Sequence, residues 1–489
     1  MARQSSKKRT GRVLTLADLI EGLGGGRLAG LEMPITPILD SRKAGPGAVF
    51  LAFRGETADG HAFVGDALAR GAVAAVVDAG APLGGDLSGA TVLDLTDAAL
   101  PQHTVSAPVI LKVPAVLQGL QRAAAFWRQQ FDVRVIGITG SVGKTTTKEV
   151  TARVLQQRYR VLHSTGSYNN EIGLPLTLLQ LTAEHDLVVL EMGMYVRGDI
   201  RSLAEIARPQ IGILTNVEPV HAERAGSLEN IALGKRELVE ALPPAPEGVA
   251  ILNEDDPFVR AMAEATRARV FTYGLDPAAH LWADEVESLG LEGIRARLHY
   301  GSEAVYVRAP LLGRHSVHTL LRAAAAGLIL GLSWQEIIEG LQTPGAQLRL
   351  VSTPGPQETL VLDDTYNSSP PSALAALNLL ADLEGRKIAV LGDMLELGAY
   401  EEEGHLKVGC RAADVAAHLV TVGPRGALMA RGARLCGMPP ERVHEAATNA
   451  EALAWLLEVL EPHDVILVKG SRAMRMEEIV SALSRAAKG

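Results

Sequence analysis

The segment VRVIGITGSVGKTTTKEV, Val133 to Val150, constrains this chain more than any other. A strand-like run, Val133 to Ile136, leads into a turn with two glycines, and a helix-compatible stretch follows. Gly140 and Gly143 let the backbone turn tightly, so that its N–H groups face inward. The start of a helix adds partial positive charge at the same point. Thr139, Gly140, Ser141, Val142, Gly143, Lys144, Thr145 and Thr146 therefore form a candidate phosphate loop. Lys144 can reach β- and γ-phosphates, and Thr145 can ligate Mg²⁺. The loop is shorter than the common one: where that has its first glycine, this chain has Ile138. The plain alternative is a glycine turn with a chance Gly-Lys-Thr. A strand before it and a helix after it weigh against that.

The rest of the chain repeats the alternation. Apolar strand-like runs alternate with Ala/Leu-rich helical ones, which predicts α/β domains with largely parallel sheets. A chain of 489 residues allows about three domains at roughly 150 residues each. Three blocks separate, at 12–113, 114–343 and 344–489. The first holds the strands AVFLAF and AVAAVV around a helix near HAFVGDALARG. The second opens with the helix VLQGLQRAAAFWRQQF. It carries the phosphate loop, the strands DLVVLE and QIGILT, an antiparallel ribbon (RARLHY, AVYVRA) and a helix from His318 to about Leu330. The third strings TLVLD, KIAVLG, HLVTVG and DVILVKG between helices and is Rossmann-like. It has no Gly-x-Gly-x-x-Gly, so no dinucleotide is inferred.

Composition closes off other classes. With 47% hydrophobic and 21% charged residues the chain can bury sizeable cores, and a formal net charge of −9 gives no general drive toward nucleic acid or membrane. The basic tail MARQSSKKRT lacks the apolar segment of a signal peptide and reads as a disordered end. No run approaches the roughly 18 apolar residues of a membrane span. Cys410 and Cys436 offer neither a disulfide framework nor metal-finger spacing, so a reduced, cytoplasmic protein is expected.

In open parallel sheets, ligands gather at the carboxyl ends of strands. Glu191 ends DLVVLE, where a carboxylate suits a Mg²⁺ ion beside phosphates or, equally, a cap on the next turn. His221 lies in the loop after QIGILT; a lone histidine is more often a satisfied surface or core group than a ligand. Lys235, in the charged helical segment IALGKREL, reads as part of a solvated face. Three polar clusters follow strands of the third block: Asp363 to Asn367, Gly392-Asp393-Met394, and Lys469 to Arg472. Each alone could be turn chemistry. Together they make a substrate-facing rim.

At this point the chain resembles a known family, the Mur ligases of peptidoglycan synthesis. The short loop GSVGKTTTKE matches the family's Gly-x-x-Gly-Lys-Thr-Thr. TGSYNNEIGLPLTLL, EMGM, NVEPVHAER, GRHSVHT, LDDTYNSSPPSALAAL, VLGDMLELG and VILVKGSRAMRMEEIV follow in the family's order, covering nearly the whole chain from DSRKAGPGAVFLAF onward. The last three resemble the branch that adds D-alanyl-D-alanine to a UDP-N-acetylmuramoyl-tripeptide. The branch that adds the third residue carries Asp-Asn-Pro-Arg, which is absent here.

The resemblance implies a monomer of three domains: an N-terminal uridine-nucleotide-binding α/β domain, a central ATPase domain and a C-terminal Rossmann-like domain. It implies ATP and Mg²⁺, with Lys144 and Thr145 serving both and Glu191 and His221 helping to hold metal. Lys235 aligns with the lysine that the family carbamylates with CO₂, which requires a neutral amine. Asn169 and Asn170 match the family's Asn-Asn near the reacting groups. Arg349 and Asp364 would reach the nucleotide, Asp364 at the ribose. Asp40, Ser41, Arg42, Asp59, Gly60 and His61 resemble the uridine-nucleotide site, and Tyr366, Asn367, Asp393 and Arg472 would face the peptide and D-alanyl-D-alanine. One departure stands out: the family's Gly-x-His-Asn-x-x-Asn reads Gly313-Arg314-His315-Ser316-Val317-His318-Thr319. Ser316 can make one hydrogen bond to a base but cannot present an amide's paired pattern.

The reaction so implied runs through an acyl phosphate, shielded by closure of the third domain over the second. Two other classes share parts of the pattern. One is a related ligase with a different acceptor, such as the third-residue-adding enzyme or a folate or cyanophycin ligase. The other is a nucleotide-binding regulatory module or an inactive homologue.

Overall fold

The structure, a computed structural model, describes residues 11–24, 26–55, 58–96, 105–220, 222–343 and 351–487. The tail MARQSSKKRT, His221 and Arg349 lie outside the described residues.

Three sheets follow one another along the chain. The first has five parallel strands, β1 (Thr36–Ile38), β2 (Ala48–Leu51), β3 (Ala74–Asp78), β4 (Thr91–Asp94) and β5 (Val109–Val113), in the order β1-β2-β3-β5-β4. The central sheet has nine: β6 (Arg134–Thr139), β7 (Val161–His163), β8 (Leu187–Glu191), β9 (Ile211–Leu214), β10 (Val249–Asn253), β11 (Arg269–Gly274), β12 (Leu281–Ser288), β13 (Ile294–Tyr300) and β14 (Glu303–Ala309). Their order is β14-β13-β12-β11-β10-β9-β6-β8-β7, and only β12 to β14 run antiparallel to one another. The third sheet contains β15 (Val351–Pro354), β16 (Leu360–Asp364), β17 (Lys387–Gly392), β18 (His418–Val422), β19 (Val443–Ala446) and β20 (Val465–Lys469). It is ordered β15-β16-β20-β17-β18-β19, with β15 antiparallel on the edge. The α/β class, the mostly parallel sheets and the antiparallel ribbon are as the sequence predicts.

The central strands are buried on both faces because helices cover both. Alternate residues of β6 face two cores. Val135 joins the core with Leu190 and Leu238, while Ile136 and Ile138 join Val150 and Leu321. Gly137 is small because Leu238 and Met192 press on that spot. Trp127, fully buried in the helix Val116–Gln129, donates its indole N–H to the Leu181 carbonyl at 2.9 Å. The same core runs from Val49, Val76 and Leu111 of the first sheet through Trp127 into the central one. The first two sheets thus share one interior.

Sequence reading passed over the fully buried β10 and the eight-residue β12 as well as some marginal strands. β15 is exposed or half-exposed throughout, and β4 buries only Leu93. The cysteine reading needs correction. Cys410, in the helix Glu401–Val415, and Cys436, just after the helix Gly426–Leu435, form a disulfide, with Cα atoms 5.2 Å apart. The 26-residue separation carries no pattern. The two helices pack side by side, and that packing brings the thiols together.

Candidate functional site

β6 delivers Thr139, whose buried hydroxyl donates to the Met192 carbonyl at 2.8 Å and ties the loop to the end of β8. Gly140, at φ +143°, lies against Thr215 with no room for a Cβ. Gly143, at φ +81°, precedes the helix Lys144–Gln156. The segment after β9 braces the loop from outside. Asn216 accepts from Ser141 N and Val142 N, both at 2.9 Å, and the Ser141 hydroxyl donates to Glu218 O and accepts from Glu218 N, each at 2.8 Å. The Lys144 ammonium curls back to donate to Gly140 O at 2.8 Å and Ser141 O at 3.1 Å. A cation therefore hangs over a helix start lined with backbone N–H groups, which is chemistry for a polyphosphate.

Beside it lies a cluster of oxygen donors. Glu191, 1% exposed, accepts from the Thr145 hydroxyl at 2.8 Å on one oxygen and from Asn169 Nδ2 at 2.7 Å on the other. Ser167 Oγ is 3.4 Å from Thr145 Oγ1. Among the described residues, both hydrogen-bond partners of this buried carboxylate are neutral. A buried carboxylate calls for a compensating charge, and these hard oxygens suit Mg²⁺. Among the described residues no group of three acidic, histidine or cysteine side chains gathers to hold a metal, so hydroxyl oxygens would share the ligation. Asn170, exposed at the cavity, accepts from Gly173 N at 2.9 Å, shaping the start of the helix Gly173–Leu178.

Lys235 does not sit on a solvated face. It is 4% exposed in the helix Leu228–Glu240, with no hydrogen bond to its ammonium among the described residues. Burial first, and the Lys144 charge second, push its pKa well below the ordinary lysine range.

Two cavities meet here. One, of 640 Å³, runs from the phosphate loop past His315, Ser316 and Thr319 to Asp364, Tyr366 and Lys469. The other, of 490 Å³, is lined by Lys235, Met194 and Leu117. Ser141, Lys144, Asn169, Asn170, Tyr195 and Val220 border both. His315 is exposed at the cavity wall. Desolvation by the surrounding protein, then the charges of His318, Arg322 and Lys469, lower its pKa to about 4. The Ser316 hydroxyl is already engaged, donating to Leu312 O at 2.7 Å.

The third sheet supplies the far wall. Asp364 and Lys469, register partners on β16 and β20, form an ion pair of 2.6 Å, and Lys469 also donates to Asn367 O at 2.9 Å. Tyr366 reaches across to donate its hydroxyl to Ser167 Oγ at 3.0 Å, joining the third domain to the central one. The Arg472 guanidinium lies 5.9 Å from the Tyr366 ring centroid. Asp393 goes elsewhere: 1% exposed, it accepts from Gly426 N at 2.8 Å and does not line either cavity.

The six residues of the first sheet stand at the carboxyl ends of β1 and β2. Asp40 accepts from Arg42 N at 3.0 Å and grips the Arg42 guanidinium through two bonds of 2.8 Å; Ser41 is buried between them. Asp59 accepts from His61 Nδ1 at 2.6 Å, and His61 Nε2 accepts from Asp78 N at 3.0 Å, which places the ring proton on Nδ1. His61 is thus a buried brace, and Gly60 fits where the Phe53 backbone excludes a Cβ. Of the candidates, Asp40, Arg42 and Asp59 keep exposed faces.

Sequence reasoning passed over Ser167, Asn216 and the Asp364–Lys469 register pairing. Only the pairing of β16 with β20 could have signalled the last, since 105 residues separate the two.

The chain is similar to known proteins along most of its length. Three family models match: "Mur ligase family, catalytic domain" over residues 38–122, "Mur ligase middle domain" over 138–327, and "Mur ligase, glutamate ligase domain" over 348–472. The UDP-N-acetylmuramoyl-tripeptide–D-alanyl-D-alanine ligase of Synechocystis is 37% identical over 449 residues, 91% of this chain and 90% of the relative. Its Bacillus subtilis counterpart is 35% identical, covering 91% and 92%. The crystal structure of MurF from Acinetobacter baumannii matches with a TM-score of 0.82 at 29% identity, over 97% of this chain and 99% of that one. MurF ligase from Thermotoga maritima, solved in complex with ADP, matches with a TM-score of 0.74 at 25% identity, over 93% and 98%.

Proposed function

The chain belongs to the Mur ligase family, and we propose that it joins D-alanyl-D-alanine to UDP-N-acetylmuramoyl-tripeptide with ATP, giving the UDP-pentapeptide, ADP and phosphate. The observation that carries this is the meeting of two cavities at Lys144, one suited to a nucleotide and one to a second reactant, in a chain that matches ligases of that name over nine-tenths of its length.

The reaction needs two anions, a carboxylate and a triphosphate, brought together. The helix start and Lys144 receive the polyphosphate; on its arrival the ammonium exchanges two loop carbonyls for phosphate oxygens. The tripeptide's terminal carboxylate, in the second cavity, bonds through oxygen to the γ-phosphorus as ADP leaves. The D-alanyl-D-alanine amine then bonds to the acyl carbon, phosphate departs with the carbon–oxygen electron pair, and the amine gives up a proton. Thr145, Glu191 and His221, with Lys235 as a carbamate, would hold Mg²⁺, which neutralises charge on the transferring phosphoryl group. The buried amine of Lys235 suits that carbamate, because the neutral form is the one that adds to CO₂.

His315, Ser316 and Thr319 flank the base and Asp364 the sugar, a role that Arg349 would share; Tyr366, Asn367 and Arg472 face the peptide side. Asp40, Ser41, Arg42 and the Asp59 to His61 turn form the uridine end, Asp59 held ionised by its hydrogen bonds from His61. Asp393 acts by shaping the turn before the helix Gly426–Leu435. Residues 12–113, 114–343 and 344–489 act as the three domains, in a cytoplasmic monomer. Among the described residues, no helix is long and apolar enough to cross a membrane.

Mass spectrometry of the product formed from ATP, D-alanyl-D-alanine and each candidate UDP-tripeptide tests the reading. A UDP-pentapeptide is expected, with ADP release dependent on both substrates. Ligation of a single amino acid to a shorter UDP-peptide would overturn it. The carbamate fails separately if the rate is undiminished in CO₂-depleted buffer.

A further inference from the structure

Arg322, in the helix Val317–Ile329, has no part in the roles above. It is 5% exposed. It lies directly beneath the phosphate loop: its Nη1 is 3.2 Å from where a Cβ on Gly143 would stand, and it donates to Thr147 Oγ1 at 2.6 Å, one turn into the loop's helix. Its Nε is buried with no hydrogen-bond partner, and among the described residues no carboxylate pairs with it. Its remaining neighbour is the Tyr273 ring, 5.7 Å from the guanidinium carbon to the centroid. The Tyr273 hydroxyl donates toward Leu214 O at 2.8 Å and Thr215 O at 3.1 Å, and its oxygen is left as a neutral acceptor beside the guanidinium, not a counter-charge.

An arginine stays charged at any working pH. A buried charge with no counter-charge is expensive, and such charges are found paired. One aromatic face offsets only part of the cost. The missing partner is anionic, and the nearest place for an anion is the loop that Arg322 underlies. The charge is also felt in the nucleotide cavity, where it is among the causes that lower His315.

We infer that Arg322 is a positioning residue for the nucleotide: it holds a fixed positive charge behind the phosphate loop, and the bound polyphosphate is its counter-ion. It acts through the loop backbone, keeping Gly143 and Thr147 in place while adding to the field of the helix start. The inference rests on the nucleotide reading of this loop. It makes a claim that reading does not, namely that affinity tracks phosphate charge through a residue out of contact with the ligand.

The test is calorimetric binding of adenosine, AMP and ADP to the full chain and to Arg322→Gln and Arg322→Lys, each checked for folding by thermal unfolding. Arg322→Gln is expected to weaken ADP by about tenfold or more, from the loss of one charge several ångströms away at a protein's effective dielectric. AMP should weaken less and adenosine hardly at all. Arg322→Lys should stay within about threefold of the parent for ADP, since it keeps the charge. Equal weakening of all three ligands would make Arg322 a mere prop and overturn the inference, as would unchanged ADP affinity. If Arg322→Gln does not fold, Thr147→Val decides, because it keeps the charge but frees it from its hydrogen bond: a loss confined to phosphate-bearing ligands supports the inference, and parental affinity for all three sinks it. Failure of the parent chain to bind ADP at all would instead overturn the nucleotide reading itself.

Discussion

Lys469→Met isolates the pair that closes the far wall of the nucleotide cavity. The substitution keeps the side chain's length and removes its charge. Asp364 loses an ammonium 2.6 Å away, and Asn367 O loses a donor at 2.9 Å. Removing one partner from a fully buried ion pair costs about 3–5 kcal/mol. Here the Lys469 side chain is 2% exposed and that of Asp364 12%. Water from the cavity can reach the Asp364 carboxylate, so the cost falls below that range, to about 2–3 kcal/mol. The double variant Asp364→Leu/Lys469→Met removes both charges of the pair and should recover at least about 1 kcal/mol of that loss. Three sheets over several cores make whole-chain unfolding a poor two-state measure. Native-state hydrogen exchange of the β16 and β20 amides reads the effect directly: about 30- to 150-fold faster exchange in Lys469→Met. ADP affinity should stay low in the double variant although its exchange slows again, because the carboxylate proposed to face the sugar is gone. Parental exchange rates in Lys469→Met would refute the reasoning, as would a double variant no better than the sum of the singles.

Three further outcomes are expected. Lys144→Ala should cut ADP release in the presence of all substrates by at least about 10²-fold with thermal unfolding unchanged; near-normal release would remove Lys144 from the reaction. Lys235→Met should abolish ligation yet unfold at a higher temperature than the parent near neutral pH, because it deletes a buried amine. The lowered pKa means that the unfolded chain binds the extra proton between that lowered value and about 10.4. Parent stability therefore rises with pH in that window, and the melting gap should narrow as the pH is raised; a constant gap refutes this. Gly143→Ala sets a Cβ at φ +81° and 3.2 Å from Arg322 Nη1. It should cost about 1–2 kcal/mol and weaken ADP binding in calorimetry; unchanged ADP affinity would show that the loop tolerates the strain.

What the sequence made legible was local. The strand, the glycine turn and the helix around Lys144 sit within one short segment, and Glu191 is read from an apolar run that ends on an acid. Lys235 was misread as solvated because helical periodicity cannot show that the cavity lies on that side of the helix. Arg322 was invisible for the same reason: only packing of two helices 175 residues apart puts it under Gly143 and Thr147. Asp393 and His61 have the right chemistry at strand ends but turn inward to hold backbone N–H groups. Turn formers and ligands look alike until side-chain direction is known. The disulfide likewise depends on how two helices lie against each other.

The border that Ser141, Lys144, Asn169 and Asn170 share between the two cavities has a pharmacological consequence. A single compound that filled both cavities would tether two weak fragments across that border, and the second would bind at high effective concentration, gaining on the order of 10² or more in affinity. Escape by substitution would be narrow: widening one cavity leaves the other grip intact, and if Lys144 acts on the phosphates as proposed, altering it would also disable ligation.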